Sequence, residues 1–131
     1  MADVRLFHKT FDHPCPDVPT LQDDFHVARR RDFIASELVE LTEATTIAQQ
    51  ADAYLDVIYF ALGGLVELGI DPSPLWNLTQ AANMAKVWPD GLVHKNSATG
   101  KVLKPEGWQD PTPAQEAEVA RQINPTGKEA G

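Results

Sequence analysis

Residues 50–69 read QADAYLDVIYFALGGLVELG, and this stretch decides the fold. Turned by about 100° per residue, Tyr54, Leu55, Val57, Ile58, Tyr59, Phe60, Leu62, Leu65 and Val66 occupy nearly the whole circumference of a helix. A helix that is apolar all round is expected to be buried. The pattern predicts a helix over about 50–68, with Gly69 as its left-handed cap. Two acids interrupt it. Asp52 and Asp56 stand i,i+4 on one face, where aligned like charges are unfavourable without a compensating cation.

Upstream, ARRRDFIASELVELTEA (28–44) predicts a second long helix, capped by Thr20, with Leu21, Gln22 and Asp23 in its first turn. It is expected to weaken at the β-branched pair Thr45-Thr46. Phe33, Ile34, Leu38, Leu41 and Ala44 share one broad sector. Glu37 points about 40° from Phe33, inside that sector, and Glu40 lies at its edge. An acid in an apolar face costs several kcal/mol unless it is paired or holds a metal. Carboxylates facing each other from two helices are how bundles build divalent metal sites. With oxygen ligands and no accompanying histidine, Mg²⁺ or Mn²⁺ is the expected ion. The competing reading puts Glu37 and Glu40 on a solvated edge and Asp52 at a helix N-terminus that favours acids. Asp56, mid-helix in an apolar segment, tips the balance towards metal.

Around these helices the chain is simpler. Residues 3–11 predict a short helix presenting Val4, Phe7, His8 and Phe11, followed by the proline-interrupted loop HPCPDVP. Asp71 caps the next helix, with Pro72 at its first position. WPDGLVHKNSATGKVLKPEGWQDP (88–111) carries turn signals around two short candidate strands, LVHK and KVLK. Thr112 and Gln115 suit a capping box for a last short helix to about Ile123, and 124–131 reads as a flexible tail. The expected fold is all-α: a single domain over 1–131, a bundle of four to five helices with an irregular, basic, hairpin-like arm.

Composition bounds the function. The 131 residues hold 11 Lys+Arg against 19 Asp+Glu, a net charge of -8. That acidity excludes a broad grip on nucleic-acid polymers. The lone Cys15 excludes an internal disulfide and a cysteine-rich zinc site. No apolar run approaches the roughly 20 residues that span a bilayer, and MADVRLFHKTFDH has no apolar signal-peptide region. A cytoplasmic protein with no membrane partner is expected. Apart from Arg29, Arg30 and Arg31, positive charge concentrates in Lys86, Lys95, Lys101 and Lys104. Lysines beside a carboxylate–metal site suit a phosphorylated small molecule. ATGK is not a phosphate loop, because Val102 follows Lys101 where Ser or Thr is needed. Trp88, Trp108, Phe7 and Phe11 either stack on a base or pack on neighbouring helices. Asn83, one turn before Lys86, either reads a sugar or base or bonds backbone. No nucleophile–base pair is apparent.

Four segments, FIASELVEL (33–41), DAYLDVIYFALGGLVELGID (52–71), NMAKVWPDGLVH (83–94) and GKVLKPEGW (100–108), carry a resemblance. Over roughly residues 30–111 the chain resembles the MazG-type all-α nucleoside triphosphate pyrophosphohydrolases, particularly their short phage and bacterial forms. The resemblance implies subunits assembled as homodimers or as homotetramers built from two dimers. It implies Mg²⁺ or Mn²⁺ held by an EExxE motif on one helix and an acidic pair on the next. It also implies cleavage of a nucleoside triphosphate between the α and β phosphates, giving the monophosphate and pyrophosphate.

Position by position, the second and third glutamates of EExxE match Glu37 and Glu40, and the last acid of the pair matches Asp56. Ser36 and Ala53 stand where the family has acids, and Asp52 lies one position before Ala53. Lys86, Lys101 and Lys104 match basic positions near phosphates. The resulting expectation is that Glu37, Glu40, Asp56 and Asp52 hold metal. Glu37 or Glu40 then activates water, and Lys86 steadies developing charge. Lys86, Lys101, Lys104 and Arg30 bind phosphate, while Asn83, Trp88 and Phe11 face base and sugar. A purine, dGTP or GTP, is the expected substrate. The alternatives are a nucleotide-binding or regulatory bundle that has lost turnover, with Ser36 and Ala53 as lesions, and a purely structural helical oligomer.

Overall fold

The computed structural model describes residues 1–127. It is all-α, with α1 Ala2–Thr10, α2 Asp24–Glu43, α3 Ile47–Glu67, α4 Pro72–Met84 and α5 Thr112–Ile123. Two compact units make up the chain, Met1–Ile70 and the part from Asp71 onward. Of the expected tail, 124–127 follow α5 outside any helix, and 128–131 lie outside the described residues. Among the described residues no helix is long and apolar enough to cross a membrane.

In the first unit α2 and α3 pack along each other, and α1 lies on α3. α1 buries Val4 and His8, one turn apart, and leaves Phe7 and Leu6 exposed. α2 begins later than expected. Asp23 caps it by accepting from the His26 backbone N–H at 2.8 Å, while Thr20 stays in the loop and donates its N–H to Leu68 O at 2.8 Å. A proline-rich approach held against the end of α3 competes with helix for these residues. The Thr45-Thr46 pair does more than weaken α2. Thr46 starts α3 with a complete capping box, its hydroxyl accepting from Gln49 N–H while Gln49 Oε1 accepts from the Thr46 N–H. Gly69 has φ 66°, as a left-handed cap requires, and a Cβ there would lie 2.6 Å from Val18 O.

α3 is not enclosed within the first unit, although its composition predicts burial. Tyr54, Leu55 and Ile58 are more than half exposed, and Ala53 and Val66 supply its buried apolar contacts. Within the first unit α1 and α2 are the helices that pack on it.

In the second unit Asp71 caps α4 through Ser73 N–H with Pro72 in the first turn, as the sequence predicts. α5 starts without the expected capping box. Pro111 is its N-cap, and the Gln115 side chain donates to Thr79 Oγ1 on α4 at 2.9 Å. The Gln122 amide bonds both backbone groups of Asp71, at 2.8 and 3.0 Å. The two candidate strands reduce to one antiparallel bridge, Lys95 with Val102, closed by the Asn96–Gly100 turn. Prolines at 89 and 105 and the short loop leave no room for a longer ladder.

Candidate active site

Glu37 on α2 lies within electrostatic reach of Glu40 on the same helix and of Asp56 and Asp52 on α3. Glu37 is 8% exposed despite its charge, and its Oε2 is buried with no hydrogen-bond partner. Burial pushes its pKa up, and the charges of Glu40, Asp56 and Asp52 push it further, in that order. The four acids singled out from the helical faces thus share one electronegative region around Glu37. Asp56 is half-buried, whereas Glu40 and Asp52 are exposed and line an open cleft of about 210 Å³. Glu43 and Gln49 share that cleft. Glu43 was visible in the sequence as the acid one turn beyond Glu40, but it falls outside the motif. Ser36 and Ala53 take no part: the Ser36 hydroxyl donates to Phe33 O at 2.7 Å, and Ala53 is buried. An all-oxygen donor set, an orphaned buried oxygen and mutual repulsion fit a hard divalent cation.

One turn away is a cavity of about 380 Å³. Phe33 precedes Glu37 by one turn of α2, and Phe60 follows Asp56 by one turn of α3. These two rings lie 5.1 Å apart, and Phe7 meets Tyr59 edge-on at 5.7 Å. The other lining groups bear nitrogen: His8, His13, Arg29 and Arg30. Arg30, expected to bind phosphate, is instead engaged within the fold. It pairs with buried Glu67, whose other oxygen accepts from Gln22 at 2.5 Å. Phe11 stacks on Phe7 at 4.5 Å rather than lining the cavity.

His8, His13 and Glu67 offer ligand atoms within 4.8 Å of one another, a tighter group than the four acids. Both Glu67 oxygens are already bonded, to Gln22 and Arg30, so this carboxylate is committed within the fold. Burial lowers the His13 pKa, Arg29, His8 and Arg30 lower it further, and Glu67 opposes them. Asp12, at φ 56°, turns the chain so that the His13 ring returns to within 5.3 Å of His8. Nothing in the residue pattern marks that turn, because Asp-His carries no glycine signal.

The remaining candidates belong to the second unit. Lys86 and Lys104 both approach the face of Trp108, at 5.7 and 4.2 Å. Trp108 is itself fixed by donating to Ala82 O at 2.7 Å. Asn83 accepts from Lys86 Nζ at 2.8 Å, which holds the lysine and occupies the amide oxygen. Trp88 stacks on His94 at 4.2 Å and donates to Leu103 O, serving the arm. Lys101 is exposed beside the bridge.

Comparison with known proteins agrees with this architecture. The sequence profile of the phosphoribosyl-ATP pyrophosphohydrolase family matches residues 4–83. A solved structure of a candidate NTP pyrophosphohydrolase from Exiguobacterium sp. 255-15 is 32% identical, covering 93% of this chain and 94% of that one, with a TM-score of 0.53. Curated protein sequences give no significant match.

Proposed function

We propose, because this chain belongs to the phosphoribosyl-ATP pyrophosphohydrolase family, that it hydrolyses a nucleoside triphosphate to the monophosphate and pyrophosphate, using Mg²⁺ or Mn²⁺. Membership makes the chain a hydrolase of pyrophosphate bonds in nucleotides. The finer reading rests on Glu37, a buried carboxylate with an orphaned oxygen facing three further acids. Glu37, Glu40 and Asp56, with Asp52 in support, would hold a cation that supplies Lewis acidity at the phosphoryl oxygens.

The chain's own groups divide the remaining work. Glu37, whose buried Oε2 has no partner within the fold, is suited to take the proton from the attacking water. Glu40 is the other carboxylate able to act as base. Lys86 and Lys104, held on Trp108, and Lys101 are proposed to neutralise phosphate charge. Arg30 drops out of this set because of its pairing with Glu67. Asn83 and Trp88 remain candidates for sugar contact, and dGTP or GTP is the proposed substrate. The exposed apolar side of α3 supports assembly as a homodimer or homotetramer. The proposed setting is the cytoplasm.

The test is a screen of all eight (d)NTPs with each metal, measuring pyrophosphate and monophosphate together. Metal-dependent release of both supports the reading. Nucleotide binding with no release from any substrate would instead favour the impaired bundle, with Ser36 and Ala53 as the missing acids.

A further inference from the structure

We infer that Arg29 is a specificity-determining residue that reads the paired acceptors of a 6-oxopurine seated in the aromatic cavity of the first unit; this rests on the nucleotide reading above. The cavity, about 380 Å³, lies within the range of small-ligand sites. Phe7, Phe33, Tyr59 and Phe60 give it flat faces on which a base can stack. Its position one turn from the carboxylates puts a base beside the reacting phosphates.

The polar groups in its wall are not equivalent. Both terminal nitrogens of Arg30 are engaged, one by Glu67 and one by Phe60 O, leaving only its single buried Nε–H and no free pair of donors. His8 Nδ1 lies 2.8 Å from Pro14 O, so the neutral ring carries its proton there and keeps Nε2 as an acceptor. Arg29 is half-buried, with its guanidinium 5.3 Å from the Phe33 ring centre and no carboxylate or carbonyl partner among the described residues. Stacking on Phe33 orients the fork without using its N–H groups. A planar fork of donors is matched by two adjacent acceptors on a flat ring, such as O6 and N7 of guanine. Adenine sets an amino donor against those N–H groups, and so does cytosine. Uracil and thymine offer one carbonyl there instead of a pair. The wall thus selects by hydrogen-bond polarity, with guanine and hypoxanthine favoured.

The experiment measures kcat/KM for dGTP, dITP, dATP, dCTP and dUTP on the wild type, Arg29→Met and Arg29→Lys. Equilibrium binding of the non-hydrolysable α,β-imido analogues of dGTP and dATP is measured alongside. The wild type is expected to favour dGTP and dITP over dATP by roughly tenfold or more. Arg29→Met brings that ratio close to one, through KM and through analogue Kd, with an unchanged melting temperature. Arg29→Lys, which keeps the charge and loses the fork, does not restore it. An unchanged ratio in both variants, a wild-type preference for dATP or dCTP, or no analogue binding overturns the inference. Arg29-dependent dGTP-analogue binding without turnover would leave it standing while the hydrolase reading fails. Equal turnover of every nucleotide would do the reverse.

Discussion

Arg30 reaches from α2 to pair with Glu67 at the far end of α3, and it does so across the bare backbone of Gly63. A Cβ at Gly63 would overlap the Arg30 guanidinium and sit 3.1 Å from His8 Nε2. Both side chains are nearly dry, 11% and 2% exposed, and Gln22 bonds the second Glu67 oxygen. Removing one partner strands a charge. Glu67→Gln should cost about 3 kcal/mol in urea unfolding, and Gly63→Ala about 1–3 kcal/mol from overpacking. A loss below about 0.5 kcal/mol in both would show that the pair is not holding the helices together.

The carboxylate quartet makes an opposite prediction for stability and for activity. Glu37→Gln removes one member of a repelling group whose burial is uncompensated, so the metal-free protein should melt at a higher temperature. The same change, like Glu40→Ala or Asp56→Asn, should lower kcat/KM for pyrophosphate release by roughly 10²–10⁴-fold. Full activity in Glu40→Ala would remove these acids from the site.

The pH dependence follows from Glu37. Its folded pKa is raised by burial first and then by Glu40, Asp56 and Asp52. The folded state therefore holds this proton more tightly than the unfolded state. The contribution to stability is present at acid pH and is lost as pH rises from the ordinary carboxylate range through the raised value. Metal-free protein should lose melting temperature over that window, and Mg²⁺ should raise it more at pH 7.5 than at pH 5. Thermal melts at both pH values decide this, and an equal metal shift at the two would contradict it.

Assembly is read from the outer side of α3. Leu55 and Ile58 are 62% and 53% exposed on a helix rich in apolar residues. Sedimentation velocity should find a dimer or tetramer, and Leu55→Glu with Ile58→Glu should shift it to a smaller species. A wild-type monomer at tens of micromolar would count against the proposal.

Face arithmetic on two helices was enough to bring Glu37, Glu40, Asp52 and Asp56 to one place, because helical spacing alone sets which side chains share a side. Local chemistry was equally legible at Asp71-Pro72 and at Gly69, where cap and φ are decided within a few residues. What depended on distant contacts was not. Thr20 yielded the α2 cap to Asp23 because its N–H is used by Leu68. Arg30 looked like a surface cation until Glu67, 37 residues later, claimed it. Gln115 serves Thr79 rather than its own helix start. Arg29 carries no motif, and its setting emerges only when α1 and α3 put rings beside it.

The Thr46–Gln49 capping box has a consequence for the phase of the whole site. The apolar residues of α3 alone set its rotation weakly, and the Arg30–Glu67 pair across Gly63 fixes it at the C-terminal end. At the N-terminal end the constraint is the connection from Glu43 to Ile47, locked by the Thr46 hydroxyl and the Gln49 amide. A residue inserted there would release the cap's hold on that rotation, and with it the approach of Asp52 and Asp56 to Glu37, with every ligand still in the chain. The length of this three-residue link therefore works as the timing mark that keeps two acidic rows in step.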